Sequence, residues 1–212
     1  MDLIHPLIET YAKEHTSTLE EVLLQIEAET HSQHPQAHML SGAVQGLFLQ
    51  MVSMMLQPKK ILEIGTFTGY SALCLSKGLV NNGKLHTIEL REEDAVIASN
   101  NFRRAGKEHQ ITLHKGNALD IIPRFTETWD LIFLDADKVN YINYYELTLP
   151  QLRTNGFMLV DNVLFHGQVL ESQLKGKNAK AIDAFNKHVN ADKRVEQVIL
   201  SVRDGITIIR KL

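Results

Sequence analysis

The sequence predicts one α/β domain: a mostly parallel sheet of about seven strands flanked by helices, ending in an antiparallel hairpin and preceded by extra helices. Three observations carry this. From Lys59 onward, short apolar runs alternate with amphipathic stretches. Several runs are unbroken, such as Leu131, Ile132, Phe133 and Leu134, as strands buried on both faces are. And 212 residues, 44% of them hydrophobic, suffice for a single core.

Residues 1–58 read as a helical cap and residues 59–212 as the core of that one domain. In the cap, Ile4, Leu7, Ile8 and Tyr11 recur at helical spacing. Thr18-Leu19-Glu20-Glu21 reads as a capping box opening a helix with Val22, Leu23 and Ile26 on one face. Gly42 to Leu56 is a third, Met-rich apolar helix stopped before Pro58, its methionines read as core filler. His31, His34 and His38 are read as a polar loop ahead of it, since Pro35 separates His34 from His38 and no metalloprotease Glu follows His34.

In the core, the candidate strands are Lys60–Ile64, Lys84–Leu90, Gln110–His114, Trp129–Leu134 and Gly156–Val160. Helical stretches Tyr70–Leu79, Glu92–Ala105 and Tyr141–Leu152 lie between them, the pattern of βαβ crossovers. Val195–Val202 and Ile206–Arg210 flank Asp204-Gly205, a hairpin turn signal. Tyr141, Tyr144 and Tyr145 should pack rather than react, and Cys74, between Leu73 and Leu75, should be a buried structural thiol.

Composition excludes several classes. One cysteine rules out an intrachain disulfide or a Cys cluster, and points to a reducing cytoplasm. No apolar run approaches the ~18–20 residues of a membrane span, and the opening Met1-Asp2-Leu3-Ile4-His5-Pro6 lacks the basic region of a secretory leader. A net charge of −3, with no clustering of Lys and Arg, argues against a general nucleic-acid binder and so against DNA, leaving room for a small local RNA site; no membrane partner is expected.

In an open parallel sheet, ligands bind beyond the carboxyl ends of the strands. There the runs deliver Glu63 and Gly65, then Glu89, then Asp135 and Asp137, then Asp161-Asn162. A lone acid there would be a cap or an Asx turn; four in series mark a cleft. The first turn, Glu63-Ile64-Gly65-Thr66-Phe67-Thr68-Gly69-Tyr70-Ser71, is neither G-x-G-x-x-G, because Phe67 stands at the middle glycine, nor a Walker loop. Glu89, about twenty residues on at the next strand end, is placed to take a ribose diol. Taken alone, this pair fits any nucleoside cofactor, NAD included.

The combination is more specific. Glu63–Ser71, Asp135-Ala136-Asp137-Lys138 with Asn140-Tyr141, and Asp161-Asn162-Val163-Leu164-Phe165-His166-Gly167, in this order, resemble the cation-dependent O-methyltransferases, the catechol and caffeoyl-CoA enzymes and their small bacterial relatives. The tail motif Arg203-Asp204-Gly205 also resembles bacterial members. The resemblance runs from about Met39 to the C-terminus and implies a Rossmann-like class I methyltransferase fold, a homodimer, S-adenosylmethionine as cofactor and a divalent cation, Mg²⁺ before Ca²⁺ or Mn²⁺. It implies that Met39 and Ser41 cover the cofactor. Glu63 and Gly65 would line its methionine part, and Ser71 would cap the next helix and bond its carboxylate. Glu89 would hold the ribose, and Ala118 would meet the adenine through its backbone. Asp135, also beside the cofactor, would bind the cation with Asp161 and Asn162, and Lys138 would be the general base.

Elementary chemistry agrees. Two carboxylates and an amide are hard oxygen ligands, suited to Mg²⁺, Ca²⁺ or Mn²⁺. Three protein oxygens leave about three octahedral positions, two of which fit adjacent hydroxyls of an aromatic diol. Burial and a neighbouring cation would lower the Lys138 pKa toward that of a base. Phe165, where plant enzymes carry Trp, would form an aromatic wall, with His166 beside it near the substrate. The 166–180 segment lacks the Arg- and Tyr-rich stretch of the plant enzymes, so a catechol or hydroxycinnamate is expected before a coenzyme A thioester, with Lys175, Lys177 and Lys180 attracting acidic substrates. The N-terminal helices are expected to form part of a lid. Two other readings compete: a tRNA 5-hydroxyuridine O-methyltransferase, which shares the Asp-Asn-Val-Leu-Phe motif, and a NAD-dependent Rossmann oxidoreductase or nucleotide-binding module.

Overall fold

A computed structural model describes residues 4–212; of the stretch read against a secretory leader, residues 1–3 lie outside the described residues. Seven strands form one sheet: β1 (Lys60–Ile64), β2 (Lys84–Glu89), β3 (Ile111–Lys115), β4 (Trp129–Leu134), β5 (Leu152–Asp161), β6 (Val195–Leu200) and β7 (Ile206–Lys211). Their order is β3-β2-β1-β4-β5-β7-β6, parallel from β3 to β5 and antiparallel for β7 against both neighbours. The chain turns outward from β1 to β2 on one side and later to β4 on the other. The crevice beyond β1 and β4 is therefore the switch point where such sheets bind ligands.

Strand alternation divides the core between two faces. Ile61, Leu131, Phe133 and Leu159 pack against α2 (Glu21–Gln33), α3 (Gly42–Leu56), α4 (Tyr70–Ser76) and α5 (Glu92–Arg104), through Leu23, Leu49, Leu73 and Phe102. Leu62, Ile64, Ile132, Leu134 and Val160 pack against α6 (Ala118–Ile121), α7 (Tyr141–Thr148) and α8 (Lys177–Ala191), through Ala118, Tyr141, Tyr145 and Phe185. Both faces of the central strands β1 and β4 are covered, which is why their runs are almost continuously apolar. Each fully buried Leu, Ile or Phe contributes about 1.5–3 kcal/mol.

Several expectations need correction. The Thr18 box does not form: α2 starts at Glu21 with Glu20 as N-cap and no side-chain cap bond, because buried Leu19, Leu23 and Ile26 set its placement by packing. The α3 methionines are not core filler. Met51, Met54 and Met55 are 52%, 52% and 76% exposed, because α3 turns its other face, with Leu49 and Val52, to the core. His31 lies within α2 and His34 ends it, so these are not loop residues; His34 Nε2 bonds Asp94 at the start of α5 (2.9 Å). Ala37–Leu56 does reach the length and apolarity of a membrane span. It is nevertheless broken at Leu40, which is extended, and α3 buries polar Gln45 and Ser53 against hydrogen-bonding partners, as a core helix does. The final hairpin is joined by residues 201–205 rather than by a two-residue turn. Tyr141, Tyr144, Tyr145 and Cys74 are buried as expected. Leu7, Ile8 and Tyr11 of α1 (Pro6–Glu14) remain exposed.

Candidate active site

The loop after β1 approaches the end of β4 so closely that only glycine fits. Gly65 has φ +98°, and a Cβ there would lie 1.9 Å from the Asp135 carbonyl oxygen. Asp135 N–H donates to Ile64 O (2.9 Å), tying the two strand ends together. Glu89, ending β2, reaches under the same loop. Its Oε2 accepts from Thr66 N (3.2 Å) and Phe67 N (2.7 Å), and its Oε1 from Arg91 N (2.9 Å). Three backbone donors thus hold this carboxylate at the mouth of the crevice.

Glu63 lies beneath the loop rather than lining an open cleft: it is 0% exposed, and its oxygens accept from Ser71 Oγ (2.7 Å) and Thr87 Oγ1 (2.5 Å). Burial, opposed by those two hydroxyls and reinforced by Asp135 and Glu89, pushes its carboxyl up to about 8. Ser71 does not cap α4, a correction to its expected role. Gly69 holds the N-cap position, its φ of +86° turning the chain into the helix, and the Ser71 hydroxyl is spent on Glu63. Ala118 opens α6 behind Asn117, whose side chain accepts from Leu119 N (3.1 Å).

The helical cap meets this end of the sheet through Met39 and Ser41, which flank the extended residue Leu40. Arg91 reaches Gln36 Oε1 and Met39 Sδ, stands 5.6 Å from the Phe67 ring centre and pairs with Asp94 (2.5 Å). Met39 is exposed and Ser41 buried.

The ends of β4 and β5 bring the second group together. Lys138 Nζ donates to Asp135 Oδ1 (2.8 Å), Asn162 Oδ1 (2.7 Å) and Tyr141 Oη (2.7 Å). Tyr141 Oη donates to Asp161 O (3.0 Å). The Asp161 carboxylate accepts from Asn162 N (2.8 Å) and from Gln45 Nε2 (2.5 Å). Burial first, then the nearby Asp135 charge, pushes Asp161 well above the carboxylate range. Asn162 adopts φ +59°, a left-handed conformation that Asn tolerates better than most residues. Phe165 and His166 follow at φ +44° and +54°. His166 is exposed, its ring 3.7 Å from Asp204.

This donor set suits a hard divalent cation. Oxygens of Asp135 and Asn162 already converge on a positive charge, the Lys138 ammonium, and the buried Asp161 carboxyl stands next to Asn162 in the chain. For Lys138 the outcome opposes the sequence expectation. Burial alone would lower its pKa, but Asp135 and Tyr141 outweigh burial and hold it well above the ordinary lysine range.

Sequence reasoning missed Gln45, Arg203, Thr87 and the role of Tyr141 Oη. Gln45 and Thr87 look like isolated polar residues in apolar stretches, and only burial reveals them. Tyr141 stood within a quoted motif, and Arg203 within the tail motif.

The O-methyltransferase family model matches residues 13–212. A catechol O-methyltransferase of Niastella koreensis is 35% identical over 162 residues, covering 74% of this chain and 73% of that protein. Caffeoyl-CoA O-methyltransferase 2 of Populus trichocarpa is 33% identical over 197 residues, covering 87% and 79%. Among solved structures, the SAH-bound methyltransferase PaMTH1 of Podospora anserina superposes with a TM-score of 0.90 at 28% identity, over 97% of this chain and 94% of that one. The O-methyltransferase of Bacillus cereus in complex with SAH gives 0.89 at 28% identity, over 97% of each.

Proposed function

The chain belongs to the O-methyltransferase family and is an S-adenosylmethionine-dependent methyltransferase, and from that premise we propose that it methylates one hydroxyl of a vicinal diphenol, a catechol or hydroxycinnamate, with a divalent cation at Asp135, Asp161 and Asn162. One observation carries the reading: the ends of β4 and β5 aim hard oxygens at one point, already taken by a positive charge, beside the Gly65 loop. The donor chemistry favours Mg²⁺, with Mn²⁺ and Ca²⁺ as substitutes.

S-Adenosylmethionine supplies an electrophilic methyl group on a sulfonium. The cation supplies positive charge that favours the deprotonated form of a hydroxyl beside it. The chain's own residues do the rest. Glu89 accepts from the ribose hydroxyls, its carboxylate preset by three backbone N–H groups. The Gly65 loop admits the cofactor next to Asp135, and Met39 and Ser41 cover it. Phe165 presents an aromatic face to the substrate ring. Lys138 accepts the hydroxyl proton at Nζ, for which it must first be neutral. Were Asp135 and Asn162 to hold a divalent cation, Lys138 would lose two of its three acceptors and face that positive charge, which together with burial would lower its pKa and let its own proton pass to solvent. The principal contribution of the fold is alignment of hydroxyl and methyl.

The reading extends to a homodimer in the cytoplasm. Apolar side chains left exposed on α1 and α3 support the first, and the single buried thiol of Cys74 supports the second.

The test is a methyl-transfer screen with catechols, hydroxycinnamates, flavonoids and bulk tRNA, each with EDTA and with Mg²⁺ or Mn²⁺. Diphenols should react only with the cation. Full turnover in EDTA contradicts the cation's role, and methylation of tRNA in place of diphenols contradicts the substrate.

A further inference from the structure

We propose that Arg203 and Gln45 form a positioning pair that couples the two ligand sites: one guanidinium orients the Asp161 carboxylate through the Gln45 amide and fastens the Leu40–Ser41 segment over the cofactor end of the sheet. This rests on the reading of Asp161 as a cation ligand.

The geometry leaves the amide one orientation. Arg203 Nη1 can only donate, and it donates to Gln45 Oε1 (3.0 Å). Gln45 Nε2 must then face the other way, where it meets Asp161 Oδ2 at 2.5 Å. Gln45 is 1% and Asp161 3% exposed, so water does not replace either partner. Rotating the amide would set N–H against N–H at one end and oxygen against carboxylate at the other. The carboxylate is thus held from one side by Asn162 N and from the other by Gln45, and Arg203 decides which end of Gln45 it sees.

The same Nη1 also reaches the carbonyls of Leu40 (3.1 Å) and Ser41, between the turn carrying Met39 and the start of α3, so its two N–H groups are shared among three acceptors. Its own loop is registered on the other ligand segment. Leu164 N donates to Asp204 O (2.9 Å), Val163 N to Gly205 O (3.2 Å) and His166 N to Asp204 Oδ1 (2.5 Å). A Cβ on Gly205, at φ +85°, would meet Leu164 Cγ at 2.5 Å, which fixes how closely the loops approach. Residues 201–205 are longer than a tight hairpin requires. Their length lets Arg203, itself at φ +49°, point into α3 while its neighbours grip the 163–166 segment.

Partners that orient a metal ligand from outside typically change metal affinity by about 10–100-fold when removed. The experiment measures Mn²⁺ and S-adenosylmethionine affinities separately by calorimetry, with thermal melting, for wild type, Gln45→Met, Arg203→Met, Arg203→Lys and the Gln45→Met/Arg203→Met pair. Gln45→Met, which keeps shape and removes the donor, should weaken Mn²⁺ binding by about tenfold or more and leave cofactor affinity unchanged. Arg203→Met should weaken both. The double variant should bind Mn²⁺ no more weakly than the worse single variant, because the two residues act in series. Arg203→Lys should recover part of both affinities. Unchanged Mn²⁺ affinity in folded Gln45→Met, or multiplying losses in the double variant, overturns the pair. If Arg203→Met does not melt as a folded protein, Gln45→Met and Arg203→Lys decide alone: both at wild-type affinity overturns the proposal. A wild-type protein that binds no Mn²⁺ overturns the cation reading itself, an outcome distinct from variants that match a binding wild type.

Discussion

Three backbone N–H groups point at the Glu89 carboxylate: two occupy Oε2 and one Oε1, so Oε1 keeps a lone pair for the ribose diol of the proposed cofactor. Glu89→Ala should therefore strand that diol and weaken cofactor binding by about one to two orders of magnitude, as loss of a charge-assisted hydrogen bond worth roughly 1.5–3 kcal/mol implies. Calorimetry showing unchanged affinity would move the ribose elsewhere. Gly65→Ala acts differently. The added Cβ meets the Asp135 carbonyl, and alanine resists φ +98°, so destabilisation should exceed about 1 kcal/mol and be visible in thermal melting. Lys138→Ala should reduce turnover by about 10²–10⁴, the usual range for a general base, with partial recovery at alkaline pH. Wild-type turnover at pH 7 would remove the assignment.

Among the elements, the central strands were legible because burial on both faces leaves little room for polar residues, Glu63 and Thr87 being the exceptions, so each run announces itself. The acids at their ends were legible for the same reason, being abrupt polar residues after an apolar run. The helix start at Glu21 was not, since Thr18-Leu19-Glu20-Glu21 satisfies a local rule that packing of Leu19 and Leu23 overrides. Thr18→Ala consequently should shift stability by less than about 0.5 kcal/mol, where a true N-cap would lose about 1. A drop of a full kcal/mol in denaturant titration would restore the capping box. The α3 methionines were misread because a helix that is apolar all round does not reveal which face is covered. Gln45 was hidden by the same lack of contrast. The long hairpin loop could not be read from Asp204-Gly205, because its Arg203 contacts carbonyls of Leu40 and Ser41 that are distant in sequence.

Across the whole molecule, helices cover the central strands and the proposed chemistry lies beyond the ends of β1, β2, β4 and β5, so stability and activity should respond separately to perturbation. His86 and His114 face one another (3.0 Å) beside Phe125 and Trp129, away from the acids at the strand ends. Burial, aided by His114, lowers His86 to about 4, and burial lowers His114 as well. The folded state thus prefers the neutral rings and the unfolded state binds more protons. This contribution is fully present above about pH 6.5 and is lost as pH falls toward about 4. His86→Gln should flatten the acid limb of the stability curve, and an unchanged limb by thermal melting would remove His86 as its source.

In the proposed reaction, two adjacent oxygens of the substrate are held together beside Asp135, Asp161 and Asn162. The most direct measurement compares initial methylation rates of catechol, 2-methoxyphenol and phenol under saturating S-adenosylmethionine and Mg²⁺. Catechol should accept one methyl group, and 2-methoxyphenol and phenol should react at a small fraction of its rate, because an ether is a weak ligand and a lone hydroxyl cannot chelate. Methylation of phenol as fast as catechol would rule out chelation of the diol.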